Sequence, residues 1–261
     1  MNRNAVWTIL KFELRENLRN YRLLIYAGTL AAFSLLILHF AGGSPRASAS
    51  LLNLILLAVP LFGLLFSALS FRDAQPFIYL MLSRGVSRNQ VFLGKWLGLG
   101  ISLSIGLVAG ITTGSVLSRQ SIGLVTLLVS LTVLLQWVFV SFALCLAVLV
   151  HRREMIPGLT LLIWFFLYVV YDLLMIGLGT YSNEYPIELP VFVLMVLNPL
   201  DLLRMVFLVQ TDLSQLMGFS AAFAVKTLGG TGGVFLAVGG LIAWVALPLL
   251  IALRRFKSKD L

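Results

Sequence analysis

Six stretches of the chain run almost without a polar side chain, at approximately 22–40, 51–71, 96–117, 122–150, 158–178 and 234–253. A helix crosses roughly 30 Å of hydrocarbon with about 20 residues, so each stretch is about long enough to span a bilayer. The fourth exceeds that length and must tilt or protrude. Ahead of them, residues 1–21 alternate Arg3, Lys11, Arg15 and Arg19 with Val6, Trp7, Ile9, Leu10, Phe12, Leu14 and Leu18 at helical spacing. This predicts an amphipathic helix in the headgroup layer, with basic side chains reaching anionic lipid and Trp7 and Phe12 at the depth aromatics favour. A frayed cytoplasmic tail is the alternative for the same residues.

The polar positions fall between these stretches. An island from 72 to 95 carries Arg72, Asp73, Arg84, Gly85, Val86, Ser87, Arg88 and Lys95 between the second and third spans, and a smaller one, His151, Arg152, Arg153 and Glu154, separates the fourth from the fifth. The third stretch bears small residues every fourth position, Gly94, Gly98, Ser102, Gly106, Gly110 and Gly114. They share one helix face, which predicts a seam where another helix approaches closely, within one subunit or between two. The fifth contains Asp172, one turn after Tyr168 and next to Tyr171. An ionisable group at that depth is either satisfied by water and hydroxyls near the outer end or serves conduction or gating.

The long segment 179–233 opens as a loop with Glu184, Pro186, Glu188 and Pro190, and Val191 to Leu197 is too short to span. Asn198-Pro199-Leu200-Asp201 reads as a helix start, with Asn198 as cap, Pro199 at the first helical position and Asp201 reaching back as in a capping box. Arg204, three residues on, can pair with Asp201. Thr211-Asp212 offers a second start before the apolar stretch 213–225, and Gly229 to Gly233 predicts a flexible turn. The two short helices either dip into the outer leaflet, satisfying their own backbone bonds, or lie flat on the surface.

Composition agrees with the pattern. The chain is 60% hydrophobic and 11% charged, with a mean hydropathy of +1.01, against about 25% charged in soluble proteins. The net charge of +9 does not point to nucleic acid, because fifteen of the nineteen lysines and arginines fall in alternate loops and at the termini. Only Arg46, Arg119, Arg204 and Lys226 fall on the other side, which predicts both termini in the cytoplasm. No removable signal peptide is visible. His39, His151 and Cys145 do not make a metal cage, and Met175, Met195, Met205 and Met217 read as packing rather than a Cu(I) path. No phosphate-binding loop is present, since Gly94-Lys95 is followed by Trp96. No catalytic constellation gathers polar groups at one depth. The fold class expected is all-α integral membrane, as a single domain over 1–261.

An amphipathic start, six spans, a helix-forming loop after the second and paired short helices before the last together resemble the permease of type-2 ABC exporters. The likeness covers the whole chain, including Leu82 to Arg88 followed by Phe92-Leu93-Gly94-Lys95. Asn198-Pro199-Leu200-Asp201-Leu202-Leu203-Arg204 is similar to the Asn-Pro-x-Asp-x-x-Arg element of the permease used in nitrous oxide reductase maturation. The resemblance implies a coupling helix in 72–95 seated on a separate cytoplasmic ATPase dimer, which binds the ATP and magnesium that this chain does not. It implies a second contact from 151–157, a second copy of the chain, and a periplasmic copper-handling repeat protein against 179–233. It also implies a bacterial inner-membrane location. Alternatives from the residues are a type-2 exporter of a lipid, drug or peptide, an ion-coupled carrier using Asp172, and a scaffold that moves nothing.

Overall fold

Each apolar stretch forms a helix, and most of the helices outrun the stretch that predicts them. The computed structural model describes residues 3–40, 45–118, 121–150, 152–181, 188–211 and 231–258. In chain order these form α1 (Arg3–Leu18), α2 (Tyr21–Phe40), α3 (Pro45–Asp73), α4 (Gln75–Ser83), α5 (Arg88–Leu117), α6 (Ile122–Leu149) and α7 (Met155–Phe165). A π-helical turn (Phe166–Val170) then leads into α8 (Tyr171–Tyr181), followed by α9 (Glu188–Leu197), α10 (Pro199–Gln210) and α11 (Thr231–Ser258). There is no strand among the described residues. Among the described residues, six helical segments are long and apolar enough to cross a membrane: Tyr21–Phe40, Ala47–Asp73, Arg88–Leu117, Ile122–Leu149, Met155–Gly177 and Val234–Ser258.

The helix extensions have local causes. α5 starts at Arg88, not at 96, because the Gln90 side chain accepts the Ser87 backbone N–H at 3.3 Å and closes the first turn. α11 starts at Thr231, so Thr231 to Gly233 are helical and not part of the flexible turn expected there; Gly229 and Gly230 lie outside the described residues. Pro157 sits in the first turn of α7, where its missing N–H costs no intrahelical bond. Pro60 is different, because it lies inside α3 and disrupts the bonding there. The missing N–H leaves the Leu56 carbonyl without its intrahelical donor, and one residue on the Leu57 carbonyl accepts the Trp164 indole N–H at 3.0 Å, which ties α7 to α3 beside the proline.

The spans are not equally enclosed. α5 and α6 form the centre, with α1 and α2 packed along α5 and α3 and α11 along α6. In α6, 72% of the most apolar window is buried, against 11% in the fifth span, so the fifth span is peripheral. The small-residue ladder lies at the α5 interface with the chain's own N-terminal helices. Gly94 faces Ile9, Gly98 faces Glu13, Gly106 faces Leu23 and Tyr26, Gly110 faces Leu30 and the Ala27 carbonyl, and Gly114 faces Ser34. A Cβ at Gly110 would sit 2.9 Å from that carbonyl oxygen. The Ser34 hydroxyl donates to the Gly110 carbonyl at 3.2 Å across the same seam. Ser102 is buried there too, its hydroxyl donating to the Gly98 carbonyl. The matching order of contacts means α1 and α2 run parallel to α5.

α1 is therefore a packed helix and not a frayed tail. Ile9, Leu10, Glu13 and Asn17 are buried, while Trp7, Lys11, Phe12, Arg15, Leu18 and Arg19 face outward. Glu13 forms an ion pair with Lys95 of α5, with side chains 1% and 3% exposed. Burial pushes the Glu13 carboxyl above its ordinary range, and the Lys95 ammonium pulls it only partly back. Deeper in the bundle, the Tyr26 hydroxyl donates to the Gln136 carbonyl oxygen at 2.9 Å, a second buried polar contact.

Candidate functional site

The segments that carry the positive-charge excess converge on one end of the bundle. Asp73, at the end of α3, accepts from the Arg153 guanidinium and lies 3.7 Å from that of Arg22. One carboxylate thus joins the start of the first span, the end of the second and the loop before the fifth. At the same end Phe71, Phe92 and Phe256 form an aromatic triangle with centroids 5.5–6.1 Å apart. Beside it, Arg88 donates to the Lys257 carbonyl at 2.7 Å.

Between these ties lies α4, the short helix expected in the island. Pro76 favours its first turn, and its end is set by Gly85, whose φ of +81° is the left-handed conformation that terminates helices. Its inner face buries Ile78, its outer face presents Tyr79 and Leu80, and Phe77 stacks on Phe12 of α1 at 5.1 Å. Tyr79, Leu82, Ser83, Val86, Ser87 and Arg88 line a concavity of about 490 Å³. Arg84 and Ser87 are exposed and Val86 is half-buried.

Two of the island's four basic residues are not on this surface. Arg72 continues the buried stripe of Leu64 and Ala68 at four-residue spacing, which turns it inward, and its Nε and Nη2 have no hydrogen-bond partner among the described residues. Lys95 is turned onto Glu13. Arg72 and Lys95 thus leave the island's accessible surface, which lies between Asp73 and Arg88 on the side of α4 away from Ile78. Arg152, Arg153 and Glu154 are exposed beside Asp73, and His151 lies outside the described residues.

The second cluster lies within the membrane part. α9 and α10 form a hairpin whose turn, at Asn198, reaches the π-helical turn of the fifth span. Leu167, whose carbonyl accepts from the Asn198 amide at 3.0 Å, is about 18 Å along that helix from Met155. The hairpin therefore penetrates to mid-span. A helix end at that depth needs partners for its last carbonyls. For α9, Tyr171 donates to the Leu194 carbonyl, the Asn198 N–H to that of Met195, and the Trp244 indole to that of Val196 at 3.1 Å. α10 is buried through most of its length, from Pro199 to Leu208, against α6, α9 and α11, so it does not lie flat on the outer surface.

Asn198 caps α10 as expected, accepting the Leu200 N–H at 3.1 Å. The capping box is not formed. Asp201 accepts at 2.9 Å from the Asn198 side-chain amide instead, because the Asn198 backbone N–H is already used by Met195. Arg204 bridges two carboxylates, Asp172 at 3.0 Å and Asp201 at 3.5 Å. Asp172 is therefore neither an isolated charge nor one satisfied only by tyrosine hydroxyls. It closes a network from α10 to the fifth span, next to a π-turn of the kind that often marks functional positions. Glu184 lies outside the described residues. Glu188 begins α9, which starts earlier than the stretch thought too short to span. The start expected at Thr211-Asp212 and the helix over 213–225 fall outside the described residues, Thr211 itself excepted as the cap of α10. No group of three or more metal-ligating His, Cys, Asp or Glu side chains occurs among the described residues.

The model of the ABC-2 family transporter proteins matches residues 12–261. The chain belongs to that family. This ABC-2 permease is 29% identical over 280 residues to a protein of Stutzerimonas stutzeri named probable ABC transporter permease protein NosY, covering 98% of this chain and 99% of the relative. It is also 29% identical over 272 residues to a Pseudomonas aeruginosa protein of the same name, covering 94% and 93%. It is thus a membrane subunit of an ABC transporter, the kind of subunit that works with an ATPase subunit.

Several contributing residues were not singled out in the sequence. Glu13 was the sole signal for the buried pair, an acid on the apolar side of an otherwise basic amphipathic helix. Trp164 and Trp244 read there as ordinary apolar positions and Tyr171 only as a neighbour of Asp172, because nothing in the sequence marks which backbone carbonyls need a donor.

Proposed function

We propose that this ABC-2 permease couples ATP hydrolysis by a separate cytoplasmic ATPase dimer to periplasmic maturation of the copper centre of nitrous oxide reductase. In this reading two copies sit in a bacterial inner membrane with both termini cytoplasmic. The ATPase, which carries the ATP and magnesium, grips α4 and the residues from Arg84 to Arg88, with 151–154 as a second contact. A periplasmic copper-handling repeat protein engages the segment 179–233. The observation that carries the reading is the Asn198-Pro199-x-Asp201-x-x-Arg204 element. Its residues are tied to one another and to Asp172, inside a chain that matches permeases named NosY over nearly its whole length.

Mechanically, the ATPase moves α4, and Asp73 carries that displacement to Arg22 and Arg153. The spans transmit it to the hairpin, whose Arg204 latch reports it to the outer side. The network supplies hard oxygen and nitrogen groups, which suits conformational signalling or passage of a sulfur species better than passage of copper itself.

A second reading, a type-2 exporter of a lipid, drug or peptide, is favoured by one feature. Ile101, Ile105, Val108, Val133 and Trp137 line a lateral, mostly apolar groove of about 520 Å³ between α5 and α6. Gentle purification from native membrane followed by mass spectrometry separates the two. An ATPase together with a periplasmic repeat protein supports maturation, and an ATPase alone supports the exporter. If no ATPase is retained, the coupling role of α4 is wrong. An ion-coupled carrier requires a free Asp172, which the Arg204 pair disfavours.

A further inference from the structure

Apart from Phe12, which stacks on Phe77, the outer face of α1 is largely exposed, and the packing of its inner face fixes where it points. Gly94 and Gly98 admit Ile9 and Glu13, and the buried Glu13–Lys95 pair locks the rotation of the helix. The opposite face then presents Lys11 and Arg15 at four-residue spacing, and Arg19 follows in the turn after the helix, all three exposed. Among the described residues, none of these three has a carboxylate within ion-pair distance, whereas the neighbouring Arg22 is held by Asp73. Glu16 is the one exposed carboxylate on the described part of α1.

The surroundings are those of a membrane boundary. Tyr21 is 65% exposed just after Arg19, and Leu24 and Ile25, 63% and 52% exposed, begin the apolar face of α2 one turn further. Guanidinium groups set directly beside a lipid-facing apolar surface match a phospholipid, whose charged phosphate lies beside its acyl chains. A protein partner's acidic surface would not require that apolar continuation.

We propose that the α1–α2 junction binds the headgroup of an anionic phospholipid in the leaflet at this end of the bundle. Arg15 and Arg19 hold the phosphate, Tyr21 lies at the glycerol level, and Leu24 and Ile25 contact the acyl chains. Phe12 of the same helix stacks on Phe77 of α4, so a bound lipid steadies the helix that the ATPase moves. That regulatory step rests on the coupling role proposed above; the binding site does not.

The test uses the full chain in nanodiscs made from equimolar phosphatidylcholine and phosphatidylglycerol, with native mass spectrometry of the lipids retained on release. The wild type is expected to retain phosphatidylglycerol preferentially. R15Q/R19Q is expected to lose roughly thirtyfold of that preference, the product of two surface basic contacts. If the double variant does not fold, high salt must abolish the preference of the wild type. Equal retention of both lipids, or an unchanged preference in the variant or at high salt, overturns the proposal. So does loss of a co-purifying ATPase from R15Q/R19Q with lipid preference intact, which would make the patch a protein contact. A wild type that prefers phosphatidylglycerol but never retains an ATPase would leave the lipid site standing and remove the coupling reading.

Discussion

Replacing Lys95 with Met strands the Glu13 carboxylate in a site where it is 1% exposed. At an effective dielectric of about 20, two unit charges about 3 Å apart attract by roughly 5 kcal/mol. Desolvating each ion costs several kcal/mol, so the intact pair is close to neutral relative to apolar side chains of similar volume. Removing one partner keeps one desolvation cost and discards the attraction, a loss of about 3–5 kcal/mol. Glu13→Leu should cost a similar amount, and the double variant should recover most of it. Reversible unfolding of the purified chain in mild detergent, followed by circular dichroism, measures all four corners of the cycle. For a chain of this length each single variant should melt about 10 °C lower, and the coupling energy should be several kcal/mol. Strictly additive costs, with the double variant worse than either single, would show that the two side chains are independent packing elements and refute the reasoning.

Three further outcomes follow from the same geometry. Gly110→Ala drives a methyl against the Ala27 carbonyl and should cost about 1–3 kcal/mol, while Gly28→Ala, which meets nothing within 4 Å, should be neutral or gain up to about 1 kcal/mol in helix propensity; the same unfolding assay compares them. Arg204→Met leaves two carboxylates without their shared cation and should destabilise by about 3 kcal/mol; Asp172→Asn should cost less, because Asp201 still holds the guanidinium. The raised Glu13 carboxyl keeps its proton in the folded state at pH values where the unfolded chain has already released it. Stability should therefore fall as pH rises from near 4.5 through the raised value, and Glu13→Gln should flatten that slope in melts taken across acid pH.

Helix number and type were legible because apolar length is a strong signal in a membrane, where an unpaired backbone has no solvent to turn to. The ladder from Gly94 to Gly114 was legible as a seam, but its partner was not, since small residues announce close approach without naming the neighbour. Asn198 was readable as a cap from local chemistry alone. Its bond to Leu167 and the closure of Arg204 onto Asp172 were not, because both join segments about thirty residues apart through a π-turn that no spacing rule marks. Arg72 shows the opposite failure. Its charge suggested a surface, and the four-residue stripe of Leu64 and Ala68 overruled it.

The parallel course of α1 and α2 along α5 also bears on how the protein is made. Ser34, which also donates to the Ala31 carbonyl of its own helix, finds its interhelical acceptor at Gly110, 76 residues later in synthesis, and Tyr26 finds Gln136 after 110. The first span therefore enters the bilayer well before the surface it is shaped for exists, and it waits there with Tyr26 and Ser34 facing lipid. Until α5 emerges, the nascent chain is a substrate for membrane quality control. Lesions in the ladder should accordingly deplete the protein from the membrane before they impair any transporter that is assembled.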